Sequence, residues 1–174
     1  TGTVDNDLAY RRARVQFALN KNRMISLVPI KGSGLASKGS KSLEKHTGPI
    51  WPLEVTSDGQ IVVTGADDAR VIVWDVSTGE MKRVLEGHEK GIAALSISAD
   101  NRFVASGSLD RTTKVWNISN GELLHTLEGH TDKIYSVSFS PDGKSIVTGS
   151  LDKTVKVWNV SNGHLVYNLE GHQD

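Results

Sequence analysis

His88, Ser106 and Asp110 are the three residue types of a serine hydrolase: a base, a hydroxyl nucleophile and an orienting carboxylate. The same types return at the same spacing as His46, Thr64 and Asp68, and again as His130, Thr148 and Asp152. In two of the three sets the hydroxyl belongs to threonine, a poor choice for an exposed nucleophile. Nothing in the sequence singles out one set as the active one, and no oxyanion loop accompanies any of them. Three equivalent sets are what a repeated structural device requires, so no catalytic residue is expected.

Other chemistry-bearing patterns are weaker. The stretch "GLASKGSK" (Gly34 to Lys41) resembles a phosphate-binding loop, but Lys41 comes one place late and no strand and helix clearly flank it. It reads as a flexible linker. Asn117 and Asn159 open "NIS" and "NVS", which match glycosylation acceptors, yet no secretory signal precedes them. The chain has no cysteine, which excludes disulfides and cysteine-based zinc sites and fits an intracellular life in cytoplasm or nucleus. No metal set or cofactor is expected.

The net charge is zero, but residues 1–45 carry nine Lys and Arg against three acids, so that part is +6 and the remainder −6. A basic arm on an acidic body results. An arm for nucleic acid or anionic lipid is one reading. The scattered charges and few aromatics favour an arm that folds back onto the body. There is no apolar run of membrane-spanning length, and no membrane partner is expected.

The elements that must position the recurring His, Ser/Thr and Asp also repeat. Trp74, Trp116 and Trp158 are spaced by 42 residues, as are His46, His88, His130 and His172. Between 88–129 and 130–171, 21 of 42 positions are identical without a gap. Each unit holds four short strand-like segments. In the third they span about 133–139, 144–149, 154–159 and 164–169, divided by "SPDG", "SLDK" and "VSNG". These separators supply the Gly and Asn that hairpin turns need. Val155 and Val157 share one strand face while Lys156 and Trp158 share the other, so apolar side chains lie on both. A four-stranded antiparallel sheet between copies of itself meets that pattern.

A "GH" followed about 28 residues later by Trp74–Asp75, Trp116–Asn117 or Trp158–Asn159, in units of 42, resembles the WD40 family of β-propellers. The first unit departs from the pattern, with Lys45 where Gly87 and Gly129 stand in the others. The resemblance implies an all-β fold: a partial propeller of three four-stranded antiparallel blades with an N-terminal arm. The arm is 1–37, a short helix plus a Gly/Ser/Lys linker. The repeats are 38–174, with a leading strand at 38–45 and units at 46–87, 88–129 and 130–171. Asp5 to Asn20 is good helix material, while Val15–Phe17 and Met24–Leu27 would suit two strands of an eroded blade.

The resemblance also implies that each His, Ser/Thr and Asp joins the unit's Trp in one buried hydrogen-bond network. The tetrads are His46, Thr64, Asp68 and Trp74; His88, Ser106, Asp110 and Trp116; and His130, Thr148, Asp152 and Trp158. Function then lies in surfaces. A non-catalytic scaffold in a signalling or regulatory complex would bind a protein or peptide on the rim where the "GH" loops gather. The alternative is a nucleotide- or nucleic-acid-binding module that uses the basic arm. Rim positions in the family fall here on Pro49, Trp51 and Asp67, on Gly91, Ala93 and Leu109, and on Lys133, Tyr135 and Leu151. Trp51 and Tyr135 are the best anchors. Their strand parity with Leu53 and Val55, and with Val137 and Phe139, is the argument for placing them in the core instead.

Propellers close with about four to eight blades. Three units leave two end faces, lined by residues such as Val155 or Trp158. Further blades from a longer chain, or from self-association, would cover them, and a fragment of a longer protein is the favoured reading.

Overall fold

The computed structural model describes residues 46–171, and every regular element among them is a β-strand. The first sheet is β1 (Ile50–Val55), β2 (Ile61–Ala66), β3 (Val71–Asp75) and β4 (Met81–Leu85). The second is β5 (Ile92–Ile97), β6 (Phe103–Ser108), β7 (Thr113–Asn117) and β8 (Leu123–Leu127). The third is β9 (Ile134–Phe139), β10 (Ser145–Ser150), β11 (Thr154–Asn159) and β12 (Leu165–Glu170). In each sheet the strands pair with their sequence neighbours, all antiparallel. The third-unit strands fall within one residue of the segments read from the sequence. The leading strand expected at 38–45 and the arm at 1–37 lie outside the described residues.

Cross-strand register decides what each sheet shows to its neighbours. In the first sheet Gly65 pairs with Val71 and Val71 with Leu85, and Val63 pairs with Val73. Partners directly opposite share a face. This face packs on Ile92, Leu95, Val104 and Trp116 of the second sheet. The other face of the first sheet carries Thr64 and Trp74. The second sheet repeats the arrangement: Ala105, Val115 and Leu127 pack on Ile134, Val137, Ile146 and Trp158 of the third. The second and third sheets thus each lay their tryptophan-bearing face on the plain face of the sheet before them. Burying a Val, Leu or Ile side chain is worth roughly 1.5–3 kcal/mol, so these two contacts dominate the energetics of the stack.

The end-face expectation needs one correction. Trp158 is not on the open face of the third sheet. It shares a face with Ile146 and Thr148, points into the second sheet and is buried. The open face carries Val147, Tyr167 and Leu169, with Val155 and Val157 half-buried beside them. The alternation of side chains along β11 sends Trp158 one way and Val157 the other.

Gly107 shows how closely the sheets approach. A Cβ there would stand 2.6 Å from Val137 Cγ2 and 2.8 Å from Ile134 Cγ2. At the equivalent Gly65 the same atom would meet Ile92 Cγ2 at 2.6 Å. At Gly149, on the outer face of the third sheet, its nearest neighbour among the described residues would be Ser136 Cβ at 3.5 Å. Gly107→Ala is therefore expected to destabilise the chain by ~1–3 kcal/mol through overpacking. Gly149→Ala should be neutral or stabilise by up to about 1 kcal/mol, since it removes only the backbone freedom of glycine. Urea unfolding midpoints of the two variants check this, and equal effects would contradict the packing.

Candidate functional site

The His, hydroxyl and Asp of each unit meet through three different elements. The His lies in the loop before the innermost strand, the hydroxyl on the second strand, and the Asp in the hairpin between the second and third strands. In the second unit Trp116 Nε1 donates to Ser106 Oγ at 2.9 Å, and Ser106 Oγ lies 2.8 Å from His88 Nε2. His88 Nδ1 stands 2.7 Å from Asp110 Oδ2. The third unit has the same chain: Trp158 Nε1 to Thr148 Oγ1 at 2.9 Å, Thr148 to His130 Nε2 at 2.8 Å, and His130 Nδ1 to Asp152 at 2.7 Å. In the first unit the distances are 2.8 Å from Trp74 to Thr64, 2.9 Å from Thr64 to His46, and 3.0 Å from His46 to Asp68.

The proton order follows from the ends. An indole N–H can only donate and an ionised carboxylate can only accept. Nδ1–H therefore donates to the Asp, which leaves Nε2 to accept the hydroxyl proton. The hydroxyl accepts the indole, and its own proton is committed to the imidazole. Ser106, Thr148 and Thr64 are all buried. A hydroxyl so occupied and so enclosed has no approach for a substrate.

Sequence reading missed a further partner in each network. Thr112 Oγ1 and Thr154 Oγ1 donate to Asp110 and Asp152 at 2.7 Å. In the first unit Arg70 takes this place, with its Nη2 2.9 Å from Asp68 Oδ2. The signal was the polar residue two places after each Asp. Each Asp also accepts the backbone N–H of the residue after the His: Thr47 at 2.8 Å, Glu89 at 3.0 Å and Thr131 at 3.0 Å. The residue after each Asp has a positive φ, at Ala69 (66°), Arg111 (76°) and Lys153 (67°). None of these is glycine, so the carboxylate holds a hairpin that the local sequence disfavours.

The candidate partner-binding residues sit at the same end of the sheets, where the innermost hairpin opens. Asp67 N–H donates to Pro49 C=O at 3.0 Å, Leu109 N–H to Gly91 C=O at 3.0 Å, and Leu151 N–H to Lys133 C=O at 2.9 Å. Trp51 is 41% exposed, and its Nε1 donates to Asp67 Oδ1 at 2.7 Å. Pro49, Asp67, Lys133 and Leu151 are exposed, and Leu109, Ala93 and Tyr135 are half-buried; Gly91 is buried against Asp67. The parity argument for a core Tyr135 fails on a β-bulge. The register slips between Ile134 and Ser136, so Ile134 and Val137 both face the second sheet and Tyr135 does not follow them. In β1, Trp51, Leu53 and Val55 are all exposed.

Comparison with known proteins then settles the family. The WD40 family, described as "WD domain, G-beta repeat", matches at residues 37–75, 79–117 and 121–159, together more than half of the chain. The chain belongs to the WD40 family. It is 48% identical over 44 residues to the WD repeat-containing protein pop1 of Schizosaccharomyces pombe, covering 25% of this chain and 5% of that protein. It is 47% identical over 36 residues to the WD repeat protein iqw1 of the same organism, covering 21% and 4%. Two solved structures, "Structure of U3-55K" and "Crystal structure of RRP9 WD40 repeats", each superpose with a TM-score of 0.71 at 31% identity, covering 74% of this chain and 41% of theirs. The chain thus spans a small part of these curated relatives and under half of the structural ones.

Among the described residues of these WD40 units, no group of His, Cys, Asp and Glu could hold a metal ion, and no helix is long and apolar enough to cross a membrane. Lys41 and the basic arm lie outside the described residues.

The tetrad carboxylates carry the electrostatics. Burial opposes ionisation of Asp68, but hydrogen bonds from the Thr47 N–H, from Arg70 and from His46 outweigh it and bring its pKa down to about 2. Burial is likewise outweighed at Asp110 by His88 and Thr112, and at Asp152 by Thr154, His130 and the Thr131 N–H; both are held well below the usual carboxylate range. A depressed folded pKa contributes stability that is complete above the unfolded value near 4 and is lost as pH falls through the folded one. The thermal midpoint should therefore drop steeply between about pH 4 and pH 2. Asp110→Asn should be less stable at neutral pH and show a flatter dependence over that window. An unchanged slope in Asp110→Asn would show that the tetrads do not set the acid response.

Proposed function

We propose that this chain is a non-catalytic protein-interaction scaffold, part of a WD40 propeller in a signalling or regulatory assembly, working inside the cell in cytoplasm or nucleus. The tetrads are structural in this reading: they fix the loops of units 46–87, 88–129 and 130–171 and present the rim. The observation that carries it is the division among the four tryptophans. Trp74, Trp116 and Trp158 are 6%, 2% and 3% exposed, with their indole N–H groups spent on the tetrad hydroxyls. Trp51 is outside that pattern, exposed at the rim, with its ring fixed by Asp67. A rigid, half-open indole beside a carboxylate offers the large, low-entropy contact that dominates interface energy.

Membership of the WD40 family supports protein binding as the class of function. The exposed Leu151 and Lys133 beside Tyr135 extend the same rim over the third unit. No observation among the described residues favours nucleotide or nucleic acid.

The test begins with selection of peptides from a displayed library on the wild-type chain. Binding of the selected peptides is then measured to Trp51→Ala and Tyr135→Ala, with fold checked by circular dichroism. Each substitution should weaken binding by about tenfold or more, the scale of a truncated hot spot. Full affinity in both folded variants would remove the rim site.

A further inference from the structure

The frame repeats from sheet to sheet, but one pair of rim side chains does not. Trp51 Nε1 donates to Asp67 Oδ1 at 2.7 Å, and both residues are exposed. The same two places hold Ala93 and Leu109 in the second unit, and Tyr135 and Leu151 in the third. The hairpin closes in the same way in all three. Asp67, Leu109 and Leu151 each donate a backbone N–H to a C=O, of Pro49, Gly91 and Lys133 in turn. Leucine serves the frame equally well, so the fold does not need the carboxylate at 67. A charged group at the surface that the frame does not use points to something outside it.

Asp67 is held in place but not neutralised. A Cβ on Gly91 of the second sheet would stand 2.9 Å from its Oδ1 and 3.0 Å from its Cα. A Cβ on Gly48 would stand 3.2 Å from its Cβ. The carboxylate therefore lies over the contact between the first two sheets, between two glycines, with Oδ1 turned to the indole. Among the described residues Oδ2 accepts no hydrogen bond, and no cation pairs with Asp67. The neighbouring Asp68 is different, since His46, the Thr47 N–H and Arg70 all converge on it. Glu89 and Lys90, which precede Gly91, are exposed and opposite in sign, so together they leave the charge of Asp67 uncompensated.

We propose, resting on the rim reading above, that the bound protein segment presents an arginine or lysine to this pair. Its cation lies on the exposed part of the Trp51 indole and donates to Asp67 Oδ2. Indole is the best aromatic partner for a cation, and a charge-assisted bond to a carboxylate is among the strong hydrogen bonds. Arginine fits better than lysine, because a planar guanidinium stacks on a ring and donates to a carboxylate at once. The bond from Nε1 fixes ring and carboxylate relative to each other before the partner arrives, so little ordering remains at binding. Leu109 and Leu151 offer no charge at the other two places, so one basic residue in the segment is selected.

The probes are the peptides selected on the wild-type chain, each made again with its arginine as citrulline or its lysine as acetyl-lysine. Both changes keep the shape and remove the charge. Asp67→Asn keeps an oxygen for the indole N–H and the backbone bond to Pro49, and circular dichroism confirms that it folds. The selected peptides should share one basic residue. Neutralising it should weaken binding to wild type by about tenfold or more and leave binding to Asp67→Asn unchanged. Two results overturn the inference and leave the rim site standing: peptides that fail on Trp51→Ala yet share no basic residue, or a neutralisation effect equal in wild type and Asp67→Asn. Full affinity for both Trp51→Ala and Tyr135→Ala would remove the rim site and this inference with it.

Discussion

A β-sheet with large apolar side chains on both faces has no stable place in water, and this constraint organises everything else in the chain. Val63, Val71 and Val73 could not stay exposed alongside Thr64, Ile72 and Trp74 on the reverse of the same two strands. The solution is to press one such sheet on the next. The close approach this requires explains glycine at 65 and 107, where a single methyl group would collide with the following sheet. It also explains β-branched residues at 92, 134 and 137, which fill the space the glycines leave. Repetition of sequence is the economical way to write such a stack, because each unit must be both a cover and a surface to be covered.

Packing fixes the sheets but not their loops. That task falls to the polar chains, which run from the buried indole to the hairpin carboxylate. Each Asp gathers the N–H of the residue after the His, the imidazole, and a donor two places along its own hairpin. It thereby joins the loop before the innermost strand to the turn between the second and third strands. Gly87 and Gly129 are part of the same arrangement. Their φ values of 149° and 146° would strain any residue with a side chain, and a Cβ there would stand 3.3 and 3.4 Å from Cη2 of Trp116 and Trp158. The rim residues hang on the frame so made, since Asp67, Leu109 and Leu151 each precede a tetrad Asp.

Much of this was legible in the residues. The 42-residue period locates the strands to within a residue, and the recurrence of His, Ser/Thr, Asp and Trp picks out side chains that do come within hydrogen-bond distance. What escaped was set by local geometry that period alone does not encode. The bulge at the start of β9 breaks the alternation, so parity misplaces Tyr135. The role of Thr112, Thr154 and Arg70 was hidden because the first unit uses a guanidinium where the others use a hydroxyl. The face that Trp158 takes is not readable from the period, because the direction in which units stack is invisible in a periodic pattern. Only the packed pairs show that the tryptophan face looks back to the preceding unit.

Native-state hydrogen exchange on this chain tests the central claim most directly. Sheets covered on both faces should open only with the whole stack, whereas a sheet covered on one face should open at lower cost. The amides of β6 and β7 are expected to exchange most slowly, and those of β10 and β11 measurably faster although their sequences are nearly the same. Equal or greater protection in β10 and β11 would contradict the account, because it would mean that a two-faced apolar sheet is stable without its second neighbour.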